Sequence, residues 1–172
     1  MDISLRKARW RDFIHGNPCV PRLFLIRHDP EPEPRPWPHP DNVADRIEYA
    51  WREYERQMGR ATWLDDDSLP RLSPYTGTEI FAEAFGCRVY RSDDTMPFAL
   101  PLIQNASQVA GLPSPDLDTP PLPMVFEIAE TLRARGGREA LLQLPDIQSP
   151  MDIAALIWDK NRFFPALSLI HI

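Results

Sequence analysis

The clearest pattern in the sequence is a set of apolar residues that recurs every three or four positions. This spacing places the set on one face of a helix over residues 41–60, with Asp41 as its N-cap and Gly59 near its end. A continuous apolar face of this kind is more typical of core packing than of a cofactor site. Its members are Val43, Ile47, Trp51, Tyr54 and Met58.

Boundary signals predict further helices elsewhere in the chain. A helix is expected over residues 151–160, because Ser149 is a good N-cap and Pro150 suits the first helical position. Similar reasoning from apolar spacing, caps and terminal glycines predicts an amphipathic helix at 3–14 and two more helices, at 79–85 and 124–135.

Short apolar runs lie between the predicted helices and are typical of buried strands. Strands that alternate with helices are joined by crossovers, so we expect about four strands running parallel. The stretch 96–112 contains prolines and is predicted to be a loop and a short helix. The four strands are predicted at residues 20–26, 62–64, 87–90 and 140–144.

Chain length limits which α/β architecture this order can build. A complete (β/α)8 barrel takes about 250 residues and seldom fewer than about 200, whereas this chain has 172. We therefore expect the N-terminal half of a (β/α)8 TIM barrel, forming one partial domain over residues 1–167.

Proline is unusually frequent and dominates one segment, in which every second residue from Pro30 to Pro40 is proline. Each proline fixes its own backbone angle and extends the residue before it, so the segment must be extended. Two interpretations stay open: a stiff loop over the mouth of the barrel, and a strip that docks into the aromatic groove of a partner.

Charge and composition exclude several classes of protein. The net charge of -6 argues against a nucleic-acid partner. No apolar run is long enough for a membrane span, and the first residues do not form a signal peptide. Two cysteines make no disulfide framework, so we expect a cytoplasmic protein.

Polar residues follow each predicted strand, where the chemistry of a β/α barrel lies. Arginines and carboxylates that converge there suit a small anionic substrate or a proton transfer. The acidic run 65–67 fits either a hard cation or a solvated turn, and no histidine or cysteine has metal-ligand spacing. The candidate site residues are Arg27, His28, Arg91, Asp93, Asp94 and Asp146.

Two stretches, residues 64–87 and 142–154, resemble the uroporphyrinogen decarboxylase superfamily of barrel enzymes. In that superfamily a catalytic aspartate lies in a Phe-Ser-Asp stretch, and Asp93 in Arg91-Ser92-Asp93 matches it. The resemblance implies that Asp93 stabilises a proton or charge and that Arg27 grips a substrate carboxylate. Leu156 stands where the family places a substrate-contacting tyrosine.

The function that the resemblance mainly implies is that of a decarboxylase, a lyase of porphyrin biosynthesis. The alternative within the superfamily is a methyltransferase that uses zinc and a corrinoid protein. Its zinc ligands lie in a His-x-Cys stretch of the second half of the barrel, and this chain shows no cofactor site of its own. A third alternative is a non-enzymatic binding module that uses residues 30–40.

The last residues, 168–172, do not resemble the superfamily and are expected to be a non-native tail on a truncated sequence. Half a barrel leaves the edges of its strands unpaired, which promotes association between copies. We therefore expect this chain alone to be inactive and either poorly soluble or a homo-oligomer.

Overall fold

A computed structural model of the protein describes residues 2–27, 33–119 and 121–168. Helices and short strands alternate along these residues. In chain order they are α1 (Ile3–Ile14), α2 (Val43–Trp63), β1 (Arg71–Leu72), α3 (Ile80–Ala84), β2 (Val89–Ser92), β3 (Thr95–Ala99), α4 (Pro121–Gly136), β4 (Leu141–Leu142), α5 (Pro150–Ile157) and α6 (Lys160–Ser168). Two 3-10 turns precede α2 and α4, at Pro40–Asn42 and Ala106–Gly111.

The described strands form two small sheets. β1 and β4 are parallel, with Arg71 opposite Leu141 and Leu72 opposite Leu142. β2 and β3 form an antiparallel hairpin, and an isolated parallel bridge joins Ile103 to Trp158. The fold is therefore mixed α/β with short parallel strands, and the expectation of four parallel strands is wrong for the described residues.

The apolar face of α2 packs into the main core, as its spacing predicts. Leu72 of β1 and Ile128 and Leu132 of α4 are almost fully buried there. Four residues of the predicted face pack against this cluster: Val43, Ile47, Trp51 and Tyr54. The fifth, Met58, is 36% exposed and lies at the margin.

Both ends of α2 differ from the prediction. The helix begins at Val43 after a 3-10 turn, and the N-cap is Asn42 instead of Asp41. It runs past Gly59 to Trp63, so the strand predicted at 62–64 is wrong. The reason is a long-range contact, because Arg6 donates hydrogen bonds to the carbonyl oxygens of Ala61 (3.1 Å) and Leu64 (2.5 Å). A cation at a helix C-terminus stabilises these otherwise unpaired carbonyls.

The predicted strand at 20–26 is also wrong. Val20 is buried, but Phe24 and Leu25 are 68% and 58% exposed. The amides of Phe24 and Ile26 donate to the carboxylates of Asp67 and Asp66, not to a neighbouring strand. Side-chain acceptors thus replace the sheet partner that the apolar run suggests.

The hairpin replaces a predicted loop and helix. β2 lies close to the strand expected at 87–90, but β3 occupies residues expected to be irregular. Asp93 and Asp94 form the turn between them. These two residues therefore follow an antiparallel strand, where the barrel hypothesis places them after a parallel one.

The other helices predicted from the sequence agree with the structure in position, whereas α6 was not predicted. α1 is confirmed at residues 3–14, although its buried side chain is Arg6 while Leu5 and Ile14 are exposed. In α5, Ser149 caps the first turn by accepting from the Asp152 amide, as predicted. α5 ends at Ile157, before the predicted end, and α6 follows it.

Within the described residues, no helix is both long enough and apolar enough to cross a bilayer. Residues 169–172 of the expected tail and residues 28–32 of the proline-rich segment lie outside the described residues.

Candidate functional site: an arginine-lined cavity beside helix α2

A second face of α2, polar in character, lines the candidate site. Tyr49, Glu53, Gln57 and Arg60 recur at intervals of four, four and three residues, so they lie on one side of the helix. They line a cavity of about 460 Å³, here called the larger lobe. The other walls come from Leu25, Ile26, Arg27, Ser68, Leu69 and Arg71.

The segment that carries Arg27 is held in place by two buried aspartates. The Phe24 amide donates to Asp67 Oδ2 at 2.8 Å, and the Ile26 amide donates to Asp66 Oδ2 at 3.0 Å. The Asp67 amide donates back to the Phe24 carbonyl oxygen at 2.7 Å. These bonds fix the backbone directly before Arg27, which is itself exposed at the cavity wall.

The two aspartates are themselves paired with arginines of α1. Arg6 Nη1 lies 3.0 Å from Asp66 Oδ1, and Arg9 Nε lies 2.6 Å from Asp67 Oδ1. The hydrogen bond from Arg9 lowers the pKa of Asp67. Burial opposes ionisation of Asp66, but hydrogen bonds from Ser68 and Ile26 outweigh it and lower the pKa of that carboxyl too. Asp66 and Asp67 are thus neither part of a solvated turn nor a cation site, because arginines pair with both carboxylates, whereas Asp65 is exposed.

A second cavity of about 230 Å³, the smaller lobe, adjoins the first. Tyr75 lies in its wall, and the guanidinium of Arg35 stacks 4.8 Å from the centre of the Tyr75 ring. The Tyr75 hydroxyl donates to the Pro36 carbonyl oxygen at 2.8 Å. Burial raises the pKa of Tyr75 to about 12, so the phenol stays neutral at physiological pH.

The described part of the proline-rich segment packs against the domain that contains these lobes. Besides the Tyr75–Pro36 bond, Trp37 Nε1 donates to the Asp93 carbonyl oxygen at 2.7 Å. Glu33 accepts from both Arg52 and Arg56 of α2. These contacts favour the interpretation as a fixed loop beside the site over that of a docking strip.

The candidate residues from the sequence are not brought into one cavity. Arg27 lines the larger lobe, whereas Asp146 is exposed in a separate cavity of about 400 Å³ that Leu156 also lines. Arg91 donates to Glu83 at 2.5 Å, and Asp94 accepts from the Ser92 hydroxyl. The Asp93 side chain is exposed in the hairpin turn. The roles assigned to these residues stay predictions, and His28 lies outside the described residues.

Sequence reasoning missed most of the cavity wall. The polar stripe at positions 49, 53, 57 and 60 has the same spacing as the apolar stripe beside it, so a signal for it existed. Arg71 gave no such signal: it reaches the cavity because β1 pairs with β4, and its Nε donates to Gln143 Oε1 at 2.7 Å.

The described residues do not supply a zinc centre. No group of three or more histidine, cysteine, aspartate or glutamate side chains among them is placed to hold a metal ion. Cys87 is buried and Cys19 is exposed, and both are free thiols.

Comparison with known proteins identifies a fold. No protein-family model matches the chain, and no curated protein matches it. Among solved structures it is similar to a methyltransferase from Methanosarcina mazei, with a TM-score of 0.66 and 16% sequence identity. The similarity covers 93% of this chain and 47% of the methyltransferase, so the chain spans about half of that structure. The similarity supports a partial α/β fold of this type, and membership of the uroporphyrinogen decarboxylase superfamily stays a prediction.

Proposed function

We propose that the chain is part of a methyltransferase-like α/β enzyme and that its larger lobe binds an anionic substrate. The observation that carries this proposal is the charge of the cavity wall. Three arginines, Arg27, Arg60 and Arg71, line the larger lobe with one carboxylate, Glu53, although the whole chain has a net charge of -6. A concave surface lined by one sign of charge concentrates ligands of the opposite sign.

The single carboxylate in the wall does not cancel this charge. Glu53 accepts from Arg56, whose guanidinium also reaches Glu33, and from Gln57 at 3.4 Å. Arg27 has no carboxylate partner among the described residues, and the Nε of Arg71 is bonded to a neutral amide. The volume of about 460 Å³ also falls within the range of about 300–1,000 Å³ that is typical of small-molecule sites.

The class of reaction is proposed from the structural neighbour. Its name favours methyl transfer over the decarboxylation of a porphyrinogen, which nothing in the described residues supports. A corrinoid protein as methyl donor remains part of the proposal. Arginine hydrogen bonds to an anionic acceptor would fix the orientation of the substrate during such a transfer.

The first prediction compares two thiols that differ in charge, mercaptoacetate and 2-mercaptoethanol. Mercaptoacetate is expected to bind at least about tenfold more tightly, because a hydrogen bond to a charged group contributes about 1.5–3 kcal/mol. Arg71→Gln is expected to reduce this preference, since Arg71 lines both lobes. Isothermal titration calorimetry measures the two affinities, with circular dichroism to check the fold of the variant.

The matched control is Arg138→Gln, which changes an exposed arginine just after α4 and away from the cavity wall. Equal affinity for both thiols would overturn the proposal of anion binding. Saturable binding of uroporphyrin that mercaptoacetate cannot displace would instead overturn the choice of methyl transfer over decarboxylation.

A further inference from the structure

The two adjoining lobes give the candidate site two ends. They share four wall residues, namely Tyr49, Glu53, Gln57 and Arg71, so these residues lie between the lobes. Each lobe then extends away from this shared wall. The larger lobe extends toward residues 25–27, and the smaller lobe extends toward Arg35 and Tyr75.

A cation marks each end. Arg27 lines the larger lobe and not the smaller, while Arg35 lines the smaller lobe and not the larger. Neither has a carboxylate partner among the described residues, in contrast to Arg52 and Arg56, which both pair with Glu33. The stacking of Arg35 on Tyr75 holds its guanidinium without neutralising it.

The middle of the site carries little net charge. The shared wall holds one carboxylate, that of Glu53, and one guanidinium, that of Arg71, and their charges offset each other. The side chains of Gln57 and Gln143, which lines the smaller lobe, offer uncharged donors and acceptors nearby. The positive charge that no carboxylate of the wall offsets therefore lies at the two ends.

We infer that the site takes an elongated dianion, with one negative group at Arg27 and the other at Arg35. This inference rests on the proposed function and narrows its substrate class from any anion to one with two separated charges. A ligand of this shape satisfies both cations at once and leaves its neutral middle beside Gln57.

The second prediction uses linear dicarboxylates from malonate to adipate, each compared with its monoamide by calorimetry. The affinity is expected to peak at one chain length, at which the dicarboxylate binds at least about tenfold more tightly than its monoamide. Arg27→Gln and Arg35→Gln are each expected to abolish that tenfold advantage. The monoamide can occupy either end, so each single variant should weaken its binding only about twofold, the statistical factor for losing one of two sites.

The possible outcomes distinguish a failure of the two-ended site from a failure of the proposed anion binding. If monoanions bind but no dicarboxylate binds more tightly than its monoamide, the two-ended site is wrong and anion binding stands. If neither class binds to the wild type, both are wrong. Arg22→Gln, an exposed arginine outside both lobes, controls for the general loss of positive charge.

Discussion

Glu79 is an acid enclosed without a hydrogen-bond partner in another described residue. It is 1% exposed, and neither carboxylate oxygen accepts a hydrogen bond from another described residue. Gly77 makes room for it, since a Cβ at that glycine would lie 1.9 Å from Glu79 Oε2. Burial raises the pKa of Glu79, and the hydrogen bond from its own backbone amide and the nearby Arg91 and Arg46 offset this only in part.

The third prediction concerns the stability of Glu79→Gln. A carboxyl whose pKa is raised on folding costs stability at any pH above its unfolded pKa, because it must either stay protonated or be buried with its charge. The neutral amide avoids this cost and is expected to raise the free energy of unfolding by about 1–3 kcal/mol at neutral pH. Urea denaturation at several pH values measures it, and the gain should shrink as the pH falls toward the ordinary pKa of 4.5.

Glu83→Gln is the matched control, because Glu83 accepts a hydrogen bond from Arg91 and its loss of charge weakens a pair. Glu83→Gln should therefore lower the free energy of unfolding, whereas Glu79→Gln should raise it. A Glu79→Gln variant that is less stable than wild type at neutral pH contradicts the description of Glu79 as an unpaired buried acid.

At the scale of the elements, Arg6 joins three parts of the chain that are distant in sequence. Its guanidinium, 1% exposed, pairs with Asp66 and donates to the Ser68 carbonyl oxygen at 2.9 Å. It also bonds the last carbonyls of α2. Helix α1 is thus held to α2 and to the loop before β1 through one buried arginine, and the loop in turn holds the segment before Arg27.

The fourth prediction is that Arg6→Met destabilises the fold strongly. Removing one partner of a buried ion pair leaves the other charge unpaired, which costs about 3–5 kcal/mol. Lys7→Met on the same helix breaks only the pair with Glu139, whose side chain is 96% exposed, and should cost less than about 1 kcal/mol. Chemical denaturation measures both, and equal effects would show that Arg6 has no special role.

The pH dependence of the same variant provides a second readout. The folded-state pKa of both Asp66 and Asp67 is lowered, so their contribution is present above the unfolded pKa of 3.8 and is lost as the pH falls below it. Arg6→Met removes one of the positive charges that lower the pKa values of Asp66 and Asp67. Its stability should therefore depend less on pH than that of the wild type in this acidic range.

Elements with local boundary signals were predictable from sequence, and those defined by distant contacts were not. α5 was predictable because Ser149 and Pro150 are adjacent to the turn they stabilise. The segment 20–26 looks like a strand, but its amides bond to aspartates some 40 residues away: 40 for Ile26 and 43 for Phe24. No local pattern in the segment carries that information.

The residues of the candidate site also divide into those that the sequence could predict and those that depend on distant contacts. Arg27 was a candidate because it ends an apolar run, and it does reach the cavity although the run is not a strand. Arg35 was missed because its place depends on the fold of the proline-rich segment onto Tyr75. Asp146 and Asp93 were expected to converge with Arg27 on the assumption of four parallel strands, and the hairpin removes that assumption.

At the scale of the whole molecule, the loop after β4 exposes apolar residues. β4 pairs with β1 alone among the described strands. In the loop that follows it, Leu144 is 78% exposed and Ile147 is 68% exposed. An unpaired strand edge beside exposed apolar side chains promotes association with another chain.

The fifth prediction is that the wild-type chain self-associates through this edge. Size-exclusion chromatography with light scattering is expected to show oligomers, and the double variant Leu144→Lys/Ile147→Lys should shift them toward monomer. Ile14→Lys changes an equally exposed residue of α1, 70% accessible, and should leave the distribution unchanged. A stable, compact wild-type monomer would contradict both this prediction and the expectation drawn from unpaired edges.

The pairing of β1 with β4 also has a consequence for the order of folding. Arg71 and Gln143, which are bonded across this pair, lie 72 residues apart in the chain. Ribosomes add about 5–20 residues per second, so β1 waits several seconds during synthesis before its partner exists. The β2–β3 hairpin needs no such delay, since its strands adjoin a two-residue turn. The local hairpin can therefore form early on the ribosome, while the parallel pair and the cavity beside it are completed late.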